Sequence, residues 1–202
     1  MSQLEIDYCA EGQSDMVIAR KLIVVAGHAP GRAYPRENGA QGKAAVDRLV
    51  AGLNAGAAFG NPVLVLRDMD EADCPASLIQ QLLTTRSPRM LLRIAVRSAD
   101  AWLMADRKAY AIFCGIKERQ IPEMVENLAR PKSIIEAWLD NGKARRLARF
   151  VIQQRRLGMP NYQIIGQWHA EFARSDWDPI RAANSDTCPS LQRAIVCIQN
   201  ML

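Results

Sequence analysis

The run Pro62-Val63-Leu64-Val65-Leu66-Arg67 constrains this chain more than any other stretch. It is apolar at nearly every position and stops abruptly at Asp68-Met69-Asp70-Glu71. A strand with one wet face alternates polar and apolar residues. A strand that is apolar throughout must be covered on both faces, as central parallel strands are. Parallel neighbours need crossover connections, and these are usually helices.

The flanking sequence supplies them. Residues 4–10 alternate, with Leu4, Ile6, Tyr8 and Ala10 on one face and Glu5 and Asp7 on the other, so they read as a strand. Gly12 breaks it, and Ser14 or Asp15 can cap the helix that follows. Met16, Val17, Ala19 and Ile23 give that helix an apolar face. The run Lys21-Leu22-Ile23-Val24-Val25 fits helix or strand, and the stop signals Gly27 and Pro30 favour helix. Residues 31–35 suggest a short second strand. The loop 36–43 follows, then a helix over 44–54 with Ala45, Leu49 and Leu53 in register. Pro75 suits the first turn of a third helix, running to about Thr85. Ser87-Pro88 precedes a fourth strand over 90–96, and Arg97 to Asp106 comes directly after it.

Strand and helix thus alternate four times. The expected fold is α/β: a Rossmann-like, mostly parallel sheet of about four strands flanked by helices. Beyond Asp106 only helical segments are read, at 107–114, 132–139, 142–154, 163–174 and 189–201. The expected division is an α/β unit over 1–106 with a helical extension over 107–202 packed on it, the alternative being one single compact domain.

Composition narrows the class. Hydrophobic residues make up 49% and charged residues 23% of 202, which is ordinary globular usage. No apolar run reaches the roughly 18 residues of a membrane span, and the N-terminus shows no secretory pattern. A cytoplasmic protein without a membrane partner is the expectation. Five scattered cysteines and two distant histidines argue against a Cys/His zinc site.

Chemistry is expected where the strands end, because ligands of open α/β sheets bind outside the carboxyl ends of the strands. Tyr8-Cys9-Ala10-Glu11-Gly12-Gln13-Ser14-Asp15 ends one strand and Asp68-Met69-Asp70 ends another. Two aspartates at i and i+2, joined by Glu11 from a neighbouring strand, offer the hard oxygens that Mg²⁺ or Mn²⁺ prefers. A D-x-D alone is common in surface loops. The pairing of both motifs with a preceding strand and a following helix gives it weight.

The first of these stretches resembles the E-G-x-x-D signature of the Toprim domain. Leu64-Val65-Leu66-Arg67-Asp68-Met69-Asp70 resembles its D-x-D signature. Toprim domains occur in topoisomerases, bacterial primases, recombination proteins and the overcoming-lysogenisation-defect nucleases. That resemblance covers about the first half of the chain. The stretches from Arg93 to Asp106 and Ser190-Leu191-Gln192-Arg193-Ala194 resemble an uncharacterised bacterial family of Toprim-like proteins, over most of the chain. The resemblance implies catalytic roles for Glu11, Asp68 and Asp70. Glu11 would be a general acid or base, or a metal ligand as in nuclease-type members. Asp68 and Asp70 would hold Mg²⁺, with Asp100 as a further acid, where glutamate is the residue expected. It also implies a tie to phage defence and a protein partner encoded nearby.

Basic residues are the remaining signal. The formal charge is +5. Lys43 lies in a glycine-bearing loop, though without P-loop spacing, and Arg93 and Arg97 flank the fourth strand. These three are the candidate substrate-binding residues. Residues 141–158 carry Lys143, Arg145, Arg146, Arg149, Arg155 and Arg156 with no acid, which reads as a mixed helix face. It suits phosphate contact or plain solvation equally. The four tryptophans fall at core-like positions. His169 can serve as a general base, but it lies far from the acids in sequence and is left outside the site.

Two functions follow. One is Mg²⁺-dependent phosphoryl transfer on DNA or RNA, foremost phosphodiester cleavage by a nuclease. The other is a non-catalytic Toprim-like module binding a nucleotide, nucleic acid or protein.

Overall fold

Four strands form one sheet: β1 (Glu5–Cys9), β2 (Ala29–Tyr34), β3 (Val63–Asp68) and β4 (Met90–Ala95). The computed structural model describes residues 3–35, 42–184 and 186–201. The spatial order is β2-β1-β3-β4 and every pairing is parallel. Helices α1 (Gln13–Val25), α2 (Lys43–Ala57) and α3 (Pro75–Leu82) carry the crossovers, and α4 (Ala99–Ala105) leaves the last strand. The chain steps outward from β1 to β2, then returns to the other side of β1 for β3. The strand order therefore reverses between β1 and β3, and the crevice outside their carboxyl ends is a topological switch point.

β3 is buried through Leu66, as its composition demands, and its period of two divides the molecule. Val63 and Val65 join Cys9 and Leu92 under α2 and α3, meeting Val46, Val50 and Leu78. Leu64 and Leu66 join Ile6 beneath α1 and α4 in the larger core. That core continues through Trp102, Tyr110, Trp138, Trp168, Phe172 and Leu191. The second half of the chain contributes α5 (Arg107–Cys114), α6 (Pro131–Asp140), α7 (Arg145–Arg156), α8 (Asn161–Ser175), α9 (Pro179–Ala183) and α10 (Pro189–Gln199). It does not bury a core apart from the sheet: α8 packs on α1, and α10 on β4.

Several sequence expectations shift. The N-cap of α1 is Gly12, not Ser14 or Asp15; Asp15 sits in the first turn and accepts the Gly12 N–H at 3.0 Å. The run 21–25 is helical, with Leu22 and Ile23 buried. Helix α9 carried no periodic signal, being one short turn fixed by its cap, where Asp178 accepts the N–H groups of Ile180 and Arg181. Most of the loop 36–43 falls outside the described residues. All four tryptophans are buried. Among the described residues no helix is long and apolar enough to cross a membrane.

Candidate functional site

The alternation that splits the cores also splits the acids at the strand ends. Arg67 follows Val63 and Val65 toward α2, whereas Asp68 follows Leu64 and Leu66 toward α1 and α4. Two clusters result, one on each side of the sheet edge, with Glu11 between them.

The first is built on Arg67, whose side chain is only 1% exposed. Its Nε donates to Asp47 Oδ1 at 2.9 Å. Its Nη1 donates to Glu11 Oε1 at 2.8 Å and to Asp70 Oδ2 at 3.1 Å, and also reaches the Asp68 carbonyl. A buried guanidinium needs such partners, and its fixed fork suits several carboxylates at once. Asp70 reaches back to it because the chain turns sharply there. Asp70 has φ 50°, a left-handed conformation that aspartate tolerates better than most residues. Its N–H donates to the Arg97 carbonyl at 2.9 Å, and Arg97 Nη1 donates to the Asp70 carbonyl at 3.2 Å. Lys43, at the start of α2, lies 3.4 Å from Asp70 Oδ2.

The second cluster gathers Asp15 from α1, Asp68 from β3 and Asp100 from α4. Asp68 Oδ1 accepts the N–H of Ala99 at 2.8 Å. Asp100 is buried, with Oδ1 2.6 Å from His169 Nδ1 and Oδ2 3.3 Å from Lys132 Nζ. The Tyr110 hydroxyl meets His169 Nε2 at 2.7 Å. Glu11 Oε1 also accepts the Asp68 N–H at 3.1 Å, which ties the two clusters together.

The electrostatics of the two clusters differ. Burial raises the pKa of Glu11, and the Arg67 guanidinium offsets only part of that. Burial and then the Asp100 charge push Asp15 up to about 6. Asp68 is driven well above the carboxylate range by burial, followed by Asp15, Asp100 and Glu11. Asp100 goes the other way. Burial would raise it too, but His169 and then Lys132 hold it below the usual range. Lys132 is raised in turn, chiefly by Asp100. Lys132 therefore faces all three acids, Asp100 most strongly, and offsets only part of what burial and mutual repulsion do to Asp15 and Asp68.

Comparison with models of known families, with curated proteins and with solved structures finds no match to this chain.

The predicted site residues can now be placed. Glu11, Asp68 and Asp70 all reach the β1–β3 switch point, but Asp68 and Asp70 take partners on opposite sides of Arg67. Among the described residues, no three His, Cys, Asp or Glu side chains are spaced to hold one metal ion together. Asp100 adjoins the acids and is held by His169 and Lys132. Lys43 is beside Asp70 and 59% exposed, so it can meet a ligand. Arg97 binds backbone carbonyls of the Asp70 turn, reaching Ala72 as well. Arg93 points to Cys197 on α10. Among the described residues neither arginine pairs with a carboxylate.

Sequence reasoning left out Asp15, His169, Lys132 and Arg67. Asp15 was within sight as the last residue of E-G-x-x-D. Arg67 carried a signal too: a charge ending a fully buried strand must find a counter-charge. His169 lies four residues after Ile165 and three before Phe172, on the buried face of α8, where an imidazole needs partners for both nitrogens. No spacing pointed to Lys132.

Residues of this chemistry fit a hard divalent cation. Mg²⁺ is commonly held by one or two carboxylates plus waters and substrate phosphates. Asp15 and Asp68, oxygen donors with raised pKa values whose repulsion Lys132 only partly offsets, are the pair that would hold it, with Glu11 adjacent.

Proposed function

We propose that this chain is a divalent-metal-dependent phosphoryl-transfer enzyme of Toprim-like design that cleaves phosphodiester bonds in nucleic acid, acting in the cytoplasm. One observation carries the reading. Carboxylates from the ends of β1, β3 and β4 meet at the switch point, and Asp15 and Asp68 repel one another with Lys132, engaged mainly by Asp100, as their one nearby cation among the described residues. Mg²⁺ or Mn²⁺ bound there would polarise a phosphoryl oxygen and lower the pKa of a water nucleophile.

The chain's own groups supply the rest. Asp15 and Asp68 hold the cation. Glu11, with its pKa raised, is suited to take a proton from an attacking water, since general bases work best when their pKa approaches the operating pH. Arg67 fixes Glu11 in position through Oε1, and the Asp68 N–H shares that oxygen. Lys43 stands exposed at the rim for a substrate phosphate. Asp100 is a positioning residue, held by His169 and Lys132 against the acids.

A second reading has its own support. Arg67 already spans Glu11 and Asp70, as expected if these acids serve the fold. On that reading the chain is a non-catalytic Toprim-like module that binds nucleotide, nucleic acid or protein.

The test is cleavage of single- and double-stranded DNA and RNA with Mg²⁺ or Mn²⁺. Wild type is expected to cut, and Asp68→Ala and Glu11→Ala to lose activity by at least about a hundredfold, the lower range for an acid–base group. Activity surviving both substitutions overturns the enzyme reading. A wild type that binds but never cuts supports the second.

A further inference from the structure

We infer that the solvent face of α7 is a nucleic-acid docking surface, remote in sequence from the acidic site and complementary to it in charge. The inference rests on the proposed function, because it names how that site's substrate is held.

A cluster of carboxylates at a reaction centre repels a polyphosphate. Ground-state affinity must then come from cations elsewhere on the molecule. Residues 141–158 hold six basic residues and no acid, more positive charge than the chain's whole formal net charge of +5. The sequence read this segment as a mixed face, and α7 sorts it. At about 100° per residue, Arg145, Arg149 and Arg156 fall within roughly 40° of one another, with Ile152 beside them. Leu147 and Val151 point the opposite way and are buried. Arg146 is committed to the fold, donating to the Ile112 carbonyl at 3.3 Å and lying over the Phe113 ring. Arg145, Arg149 and Arg156 are exposed. Arg149 and Arg156, with Ile152, Gln153 and Leu157, line a shallow groove.

The stripe suits phosphate better than lipid. From Arg145 to Arg156 the helix rises about 16 Å, the axial length of roughly five phosphates on one duplex strand. A helix lying on a membrane turns its broad apolar face into the acyl boundary. Here that face is spent on the core, and only Ile152 and Leu157 stand exposed among the arginines.

The test is fluorescence anisotropy of the full chain with labelled single-stranded and duplex DNA, in chelator, across a salt series. Chelator removes any metal-dependent contribution of the acidic site. Wild type is compared with the triple variant Arg145→Gln, Arg149→Gln, Arg156→Gln, whose circular dichroism should match. The variant is expected to weaken binding to every sequence alike and to lower the slope of log K against log salt by about 2 to 3. An unchanged slope, or a wild type that does not bind, overturns the docking face. So does binding to phosphatidylserine vesicles in place of DNA, which would make α7 a membrane surface. Cleavage is scored separately. A variant that loses binding while wild type cuts nothing leaves the docking face standing and removes the nuclease reading.

Discussion

Asp100 Oδ1 and His169 Nδ1 lie 2.6 Å apart, though 69 residues separate them in the chain. Both side chains are almost wholly buried, and Tyr110 closes the other side of the imidazole. The bond joins α4, at the edge of the acidic cluster, to α8, which packs on α1. His169→Ala should leave Asp100 with Lys132 as its charged partner. We expect a loss of about 3 kcal/mol in urea denaturation, the low end for breaking a buried pair, because Lys132 stays. With Asp100→Asn, a double-mutant cycle should show coupling above about 1 kcal/mol. Additive effects would mean that the pair is incidental.

Arg67 answers to three carboxylates, Asp47 from α2 and Glu11 and Asp70 from the loops after β1 and β3. Arg67→Ala strands those acids around a buried space, and a loss of about 3–5 kcal/mol is expected. Arg67→Lys should rescue little of it. An ammonium cannot reproduce Nε on Asp47 and Nη1 on Glu11 and Asp70 in one fixed fork. Equilibrium unfolding of both variants tests this, and near-wild-type stability in the lysine variant would show that charge alone suffices.

The acids impose a pH dependence whose sign is set by their shifts. Asp15 rises from 3.8 to about 6, and Asp68 rises as well. A raised folded-state pKa gives stability that is full below the unfolded value and is lost as pH climbs through the folded one. Asp15 therefore costs stability progressively from about pH 4 to beyond pH 6. Asp100, held low, acts in the opposite sense: its stabilisation is present above the unfolded value and fades as pH falls through its lowered pKa. Asp15→Asn should remove the first slope and raise Tm near pH 7 by roughly 2–4 °C, equivalent to about 1 kcal/mol for a domain of this size. Melting curves across that range check it, and a variant less stable than wild type at neutral pH would contradict a net repulsion at Asp15.

The parallel sheet and the neighbouring strand ends were legible in the sequence because both follow from local pattern. An apolar run such as 62–67 can only be a covered strand, and turn signals after Ala10 and Arg67 mark where the chain leaves the sheet. The division of labour among the acids was not legible. Whether Asp68 and Asp70 converge depends on one residue, Asp70, taking φ 50°, and on Arg67 lying between them. Those are tertiary facts. His169 and Lys132 were hidden for the same reason: two helices from the second half, α8 and α6, bring them to Asp100, and no spacing rule spans such distances. The basic stripe was half legible, since its charge stood in the composition, but its facing needed the helix bounds.

If Asp15 and Asp68 hold a divalent cation, the cation must relieve the repulsion that now destabilises them. Binding to the folded state alone adds RT ln(1 + [L]/Kd), about 2.7 kcal/mol at a hundredfold excess over Kd. At about 2–4 °C per kcal/mol, Mg²⁺ or Mn²⁺ should raise Tm by roughly 5–10 °C at pH 7.5. At pH 5 the gain should shrink, because Asp15, raised to about 6, is then largely protonated, Asp68 is shifted in the same direction, and protons compete with the metal. Asp68→Asn should raise Tm without metal and abolish the response to it, two opposite effects that a merely damaged fold cannot produce together. A monovalent salt of equal ionic strength is the control. A wild type whose Tm ignores divalent cations at pH 7.5 would remove the metal from the site and leave the four acids as a structural cluster.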